Sequence, residues 1–546
     1  MEPAAIRQVY DDLSTLTVWE ALERTAARLP DKVAVIDGDR RLTYTDLIEG
    51  ARRYAAGLAA LGLRKGDMAA VYLPNCAELY WLFYALQGLG VSVAWINPSY
   101  RQTESKFIIE NSGAKAVFLR DEWQGYDYLS SIVGLGPLPA LEHIVVARNG
   151  DVAKTDPRVR TLRDLDALAP AVPLPAHELG PDDLSMLIYT SGTTGRSKGA
   201  SIGQSQVLRA GFSYSLGTDA GEDDVFIAFL PMSHSYGCGT LLVQPIVLGA
   251  TVAMLDVFSA EKAFQLIEKE HVTLHYAAPT HYVMELKSPV RQKYDLSSLR
   301  AGMTAGALAP AGMITRVQEE MGYYISSFLG SSEVGPGLSL ILPYGTDLET
   351  RERCVGYPLE YTEAKVIDPD TGAEKGVDEA GELVLKGWHV TRGYWKNPEE
   401  TALQIRDGWL HTGDLVARDA KGCFRIMGRL KEWINRCGFK IVPSEIESLL
   451  AQHPAVVEVC VVGTPNPVLG ESICTCLLLD DGAEPLSLDE IRGYLDGKVA
   501  PYKLPDELLV VRELPRLAGG VKVNKFGPGG VVELACISTD KQTRSR

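Results

Sequence analysis

From Val33 to Ile96 short apolar runs alternate with longer amphipathic ones, and this pattern most restricts the folds open to the chain. Val33 to Ile36 is followed by helical periodicity up to Leu61. Asp67 to Leu73 (DMAAVYL), Ala77 to Leu86 and Val91 to Ile96 then read as strand, helix and strand. Such βαβ alternation predicts a parallel sheet covered by helices. The apolar stretch Tyr80 to Ile96 is interrupted by Gln87, Gly88, Gly90 and Ser92, so it reads as a helix and a buried strand rather than a membrane span. A chain of 546 residues exceeds what one core can organise and implies two or more domains.

Apolar residues at 46% and charged ones at 23% are those of a globular protein, not of a disordered or fibrous one. A formal charge of −16 argues against non-specific binding to nucleic acid or an anionic membrane. Any polyanionic ligand therefore needs local positive charge. The cysteines contain no C-x-x-C pair and read as free thiols in a reducing compartment, the cytoplasm. The first residues lack the basic and apolar regions of a secretion signal, and the final RSR is not a peroxisomal one.

Leu184 to Ile188 (LSMLI) is a buried-strand run, and it leads into Tyr189 to Gly199, YTSGTTGRSKG. Glycines at 192, 195 and 199 remove bulk, while Thr190, Ser191, Thr193, Thr194 and Ser197 add donors, so the loop can wrap a phosphate chain. Lys198 adds a mobile point charge suited to a polyphosphate. The spacing is not that of a Walker A loop. On composition alone a solvated linker explains the stretch equally well.

Further stretches carry chemistry-bearing residues in a fixed order. They are FLPMSHSYG (Phe229 to Gly237), TAGALAP (Thr304 to Pro310), SFLGSSE (Ser327 to Glu333), DGWLHTGDL (Asp407 to Leu415), GRLKE (Gly428 to Glu432), WINRCGFKIVPSEIESLL (Trp433 to Leu450) and LAGGVKVNK (Leu517 to Lys525). Singly, each has an ordinary reading: a satisfied histidine, a capping turn, solvated surface charges. Together with the loop they closely resemble the ordered motifs of the adenylate-forming superfamily, which contains acyl- and aryl-CoA synthetases, peptide-synthetase adenylation domains and luciferases. The resemblance runs from about Leu16 to Phe526.

This resemblance implies roles for individual residues. Thr190, Ser191, Gly192, Thr193, Thr194, Gly195 and Lys198 would hold the phosphates. Ala305, Gly306 and Ala307 would border the adenine, with Ala307 where the family usually carries an acidic residue. Ser327, Phe328, Leu329 and Gly330 continue the nucleotide site, and Leu329 replaces the tyrosine that stacks on adenine; a hydrophobic contact would partly substitute. Ser332 would contact the α-phosphate and Glu333 would ligate Mg²⁺. Asp414 would accept the ribose hydroxyls, and Arg429 would contact ribose or phosphate. His234 and Tyr236 would line an acyl pocket with Met303, Leu329 and Val334. Gly438 and Phe439 would border the pantetheine channel, and Lys431 would be the hinge. Lys522 would be the adenylating lysine, preferred over Lys525 because Lys522-Val523-Asn524-Lys525 keeps the family's spacing, although Val521 stands where a glycine is usual.

The fold implied is α/β: a large N-terminal domain of mixed layers with helix-covered sheets, residues 1–429, and a small α+β C-terminal domain on a hinge, residues 430–546. The activity implied is ATP-dependent activation of a carboxylic acid through an acyl adenylate, then transfer to CoA with release of AMP and pyrophosphate. An amine or a separate carrier protein is the alternative acceptor, and a non-catalytic binder is the third reading. The implied cofactors are ATP, Mg²⁺ and CoA. Tyr236, Met303, Leu308, Leu329 and Val334 point to an apolar pocket for an aromatic, alicyclic or medium-chain acid. Neither a nucleic-acid partner nor a membrane span is expected.

Elsewhere, Asn149 to Asp183 is polar and Pro-rich and reads as a surface excursion, and after the loop the alternation resumes with Val225 to Phe229, Leu241 to Val247 and Thr251 to Met254 as its apolar strand runs. His271, His275 and His281 lack ligand-like partners in sequence and carry no assigned role. Strands are expected near Val456 to Val462, Ile473 to Leu479 and Leu508 to Val511, with a helix near Leu488 to Val499. Cys474 and Cys476 read as core residues on one strand face. The tail from Ser538 reads as disordered.

Overall fold

The computed structural model describes residues 2–147, 152, 156–169, 179–190, 197–437, 439–480, 482–516, 523–527 and 529–544. Two large sheets dominate. In the first, the strands Tyr324–Leu329, Ala301–Thr304, Leu274–Ala277, Val225–Ala228, Thr251–Met254 and Val33–Asp37 run parallel in that spatial order. In the second, Leu184–Thr190, Ser92–Trp95, Met68–Tyr72, Ala116–Leu119 and His143–Val146 run parallel, and Lys198–Gly203 closes one edge antiparallel to Leu184–Thr190.

Two helices fill the space between these sheets. Tyr44–Ala60 starts at a capping box in which Thr43 and Asp46 satisfy each other's backbone N–H groups. Ala77–Leu89 is apolar nearly all round and is buried everywhere except at Trp81, as a helix enclosed between layers must be. The second sheet obeys the strand period of two: Val71, Val93 and Trp95 face the helices, whereas Ala70, Tyr72 and Val117 face a separate core on the far side.

A third, antiparallel sheet contains Thr362–Ile367, Gly381–Gly387, Trp409–Arg418 and Phe424–Arg429. After the short turn Leu430–Glu432 the chain enters a small α+β unit. There Phe439–Ile441, Ile434–Arg436, Gly470–Leu479 and Val456–Asn466 form an antiparallel sheet, and Glu507–Val511 adds to it in parallel. Ile434, Ile446, Val461, Ile473 and Ile491 form a core of its own.

Three local expectations change. Part of the stretch between Asn149 and Asp183 is not a surface excursion, because Val159–Thr161 extends the second sheet and Leu162–Leu168 is a helix capped by Thr161 and Asp164. Leu165 is fully buried, and a Cβ on Gly57 would sit 2.5 Å from its carbonyl. The run Leu241 to Val247 is helical. The tail holds the helix Val531–Arg544, whose Val531 and Ala535 pack on Cys460, Cys474 and Cys476. Both Cys474 and Cys476 are core residues, as their alternation implies.

Candidate active site

The strand pair Leu184–Thr190 and Lys198–Gly203 places Thr190 opposite Lys198, so the phosphate-loop motif joins adjacent strand ends. Ser191, Gly192, Thr193, Thr194 and Gly195 lie outside the described residues. Lys198 is not the mobile charge its sequence context predicts. Its side chain is 8% exposed and its Nζ is ion-paired with Glu400, above the face of the Tyr394 ring at 5.5 Å.

Glu333 follows the strand Tyr324–Leu329, in a turn closed by Val334 N–H donating to the Ser331 carbonyl. Gly330 is required there: a Cβ would come within 1.8 Å of the Gly337 carbonyl. The Tyr394 hydroxyl donates to Oε1 of Glu333 at 2.9 Å, and Thr391 N–H donates to its backbone carbonyl at 2.7 Å. Ser332 and Ser327 lie on the same strand-and-turn segment.

Residues 389–395 form a strap that sequence reasoning missed. On one side Val390 bridges Val334, and on the other Tyr394 bridges Ala200 while Trp395 N–H donates to the Gly199 carbonyl at 2.8 Å. The signal available in sequence was Gly393 followed by Asn397-Pro398, a helix start whose first turn carries Glu400; Asn397 caps that helix and Gly393 has φ of +128°.

Among the residues expected at the acyl pocket, Tyr236 donates its hydroxyl to the Met303 carbonyl at 2.7 Å and packs edge-on against Phe328. His234 is exposed, and its Nδ1 accepts the Tyr236 N–H at 3.3 Å. Ala305 is buried, whereas Gly306, at φ +91°, and Ala307 are exposed beside it. The expected pocket residues fall into two clusters. Tyr236 and Met303 belong to the main core, while Leu329 and Val334 pack with Val355, Leu383 and Leu385 under the third sheet.

Asp414 and Arg429 are cross-strand partners, with Nε 3.0 Å from Oδ1 and the Asp414 side chain 5% exposed. Lys431 lies in the turn directly after; burial, then the Arg429 charge, pull its ammonium below the ordinary lysine range. Phe439 is exposed and stacks on Tyr502 at 4.6 Å; Gly438 lies outside the described residues.

Lys522 also lies outside them. Lys525 is held by Glu447 at 2.9 Å and Glu432 at 3.1 Å. Burial opposes its charge, but the Glu447 and Glu432 carboxylates outweigh it and hold the ammonium above its usual range. His275, without a role in the sequence reading, has a partner here: its Nε2 lies 3.2 Å from Glu285, both side chains fully buried. Among the described residues no group of three or more His, Cys, Asp or Glu side chains could hold a metal ion, and no helix is long and apolar enough to cross a membrane.

Residues 22–395 match the model of the AMP-binding enzyme family, and residues 445–520 match that of the AMP-binding enzyme C-terminal domain. A CoA ligase of Mycobacterium tuberculosis that acts on a methyl-dioxo-octahydroindenyl propanoyl group is 33% identical, over 93% of this chain and 97% of that protein. The mitochondrial medium-chain acyl-CoA ligase ACSF2 of Rattus norvegicus is 30% identical, over 93% of this chain and 86% of its own. The crystal structure of the anthranilate CoA ligase AuaEII with anthranoyl-AMP superposes with a TM-score of 0.85 at 26% identity, covering 96% of this chain and 98% of the other. Two family models in sequence and a shared fold over nearly its full length show that the chain belongs to the AMP-binding enzyme family, as an AMP-forming ligase.

Proposed function

We propose that the space between the His234–Tyr236 turn and the Met303–Ala307 loop receives an aromatic, alicyclic or medium-chain carboxylic acid. The reaction is ATP-dependent formation of an acyl adenylate, followed by transfer of the acyl group to CoA. The observation that supports the pocket reading is the Tyr236 hydroxyl on the Met303 carbonyl at 2.7 Å, which joins the His234–Tyr236 turn to the residue just before the Thr304 to Pro310 motif.

A carboxylate is a poor acyl donor because its leaving group would be oxide. Attack of its oxygen on the α-phosphorus of ATP releases pyrophosphate and leaves AMP bonded to the acyl group. Attack of the CoA thiol on the acyl carbon then releases AMP and forms the thioester, the thiol proton leaving to solvent. No nucleophile from the chain is needed. What the chain supplies is placement and charge. In this reading Lys198 and the motif 190–195 would hold the phosphates, Asp414 and Arg429 would hold the ribose and its phosphate, and residues 305–307 and 327–330 would border the base. Lys522 neutralises charge developing between the carboxylate and the α-phosphate.

Glu333 fits a Mg²⁺ ligand: it is one carboxylate that Tyr394 links to Lys198, and Mg²⁺ takes one or two protein carboxylates and fills the rest of its shell with phosphate and water. When bound, the ion neutralises phosphate charge. A division between large and small domains after Arg429 is supported by the separate core beyond the Leu430–Glu432 turn, and Lys431 is then the hinge. Cysteines that are all free support a reducing compartment such as the cytoplasm.

The test is an acid panel with ATP, Mg²⁺ and hydroxylamine, repeated with CoA in place of hydroxylamine. Hydroxamate in the first and thioester with AMP in the second are expected. Hydroxamate without thioester would transfer the second step to an amine or a carrier protein, and neither product with any acid would leave a binder.

A further inference from the structure

The strap 389–395 joins the strand Lys198–Gly203 to the turn that carries Glu333. Its backbone is pinned to the strand after the phosphate loop, through Ser201 N–H to the Gly393 carbonyl at 3.0 Å and Trp395 N–H to Gly199, and to the Glu333 turn, through Thr391 N–H. The Tyr394 N–H donates to Oγ1 of Thr401 at 2.9 Å, which fixes the residue's own position. From that fixed point its hydroxyl reaches Glu333 and its ring face lies beneath Lys198.

We propose that Tyr394 is a positioning residue for nucleotide activation: its hydroxyl sets the Glu333 carboxylate in the orientation that accepts Mg²⁺, and its ring fixes the distance from that carboxylate to Lys198. This rests on the reading of Glu333 as the metal ligand. A carboxylate has two oxygens and about four lone-pair directions, and one hydrogen bond from a rigid donor fixes its plane while leaving acceptor capacity for a cation. Partners of this kind behind a ligating side chain are worth roughly 10- to 100-fold in metal affinity or activity.

The experiment is calorimetric binding of α,β-methylene-ATP to the full-length protein, with Mg²⁺ and with EDTA, for wild type, Tyr394→Phe and Glu333→Gln, with thermal midpoints for each. Tyr394→Phe removes one oxygen and leaves the ring beneath Lys198. The expected result is a loss of about tenfold in the Mg²⁺-dependent gain in affinity, with metal-free binding changed less than twofold. If Glu333→Gln abolishes the gain and Tyr394→Phe keeps it, or if Tyr394→Phe weakens both conditions equally, the inference is overturned while the Glu333 reading stands. If Glu333→Gln itself keeps the gain, the Glu333 reading fails and the inference fails with it.

Discussion

Asp414 and Arg429 sit opposite each other on neighbouring antiparallel strands, Nε to Oδ1 3.0 Å apart, with the carboxylate buried and the guanidinium partly exposed. The register of the third sheet therefore builds this pair, and it does so in the last residue before the turn into the small unit. A charged hydrogen bond to the nucleotide contributes about 2 kcal/mol. Arg429→Ala should therefore weaken ATP binding by roughly thirtyfold. It should also lower the thermal midpoint, because Asp414 is left buried without its cation. Calorimetry and melting read the two effects separately. A lowered midpoint with unchanged ATP affinity would make the pair structural only.

Tyr236 ties the His234–Tyr236 turn to the end of the strand Ala301–Thr304, where the acyl pocket is proposed. Tyr236→Ala removes the ring packed on Phe328 and should shift preference toward bulkier acids, with discrimination changing by about 1 to 3 kcal/mol. Relative kcat/KM over the acid panel is the measurement. An unchanged profile would place the pocket elsewhere.

The structure also predicts acid sensitivity. His389 is fully buried with neither ring nitrogen hydrogen-bonded, and burial, then the Arg209 charge, lower its pKa from 6.5 to about 3. His281 is lowered to about 4, chiefly by burial, then by His275. Both are neutral in the fold and gain a proton more readily when unfolded. Their contribution is present above pH 6.5 and is lost as pH falls through the interval to about 4 and about 3. Each contributes a slope of up to about 1.4 kcal/mol per pH unit. His389→Gln should flatten the fall in stability below pH 6.5 in denaturant titrations. A slope identical to wild type would show that His389 does not carry the effect.

The layered fold was legible in the sequence because its βαβ period is local: Met68–Tyr72, Ala77–Leu89 and Ser92–Trp95 fall where the alternation puts them. The motif residues were legible as a set in fixed order, and Tyr236 with Met303, and Asp414 with Arg429, are in contact. Partners supplied by distant segments were not legible. Nothing in the loop around Lys198 announces that Glu400, two hundred residues later, neutralises it, or that Tyr394 bonds Glu333. Nor did the polarity of the region around Val159 reveal a sheet edge, since that edge strand is only three residues long. The tail misled because its last residues are polar, whereas Val531 and Ala535, which anchor it, precede them.

Lys525 belongs to the small unit's own framework through Glu447 and Glu432, so it is occupied where Lys522 is proposed to act. Lys525→Ala should destabilise the protein by about 1 to 3 kcal/mol, since it leaves two partly buried carboxylates without their cation. Its effect on either half-reaction should be small at temperatures where the variant is folded.

On the proposed reading a lysine of the small C-terminal unit drives acyl adenylate formation and then withdraws to admit the acceptor. That reading is tested most directly by assaying Lys522→Ala in the two half-reactions separately: pyrophosphate exchange with acid and ATP, and thioester formation from chemically prepared acyl adenylate and CoA. The account predicts that the first falls by several orders of magnitude and that the second stays within a fewfold of wild type. Loss of both to the same extent, or full exchange activity in Lys522→Ala with none in Lys525→Ala, would contradict it.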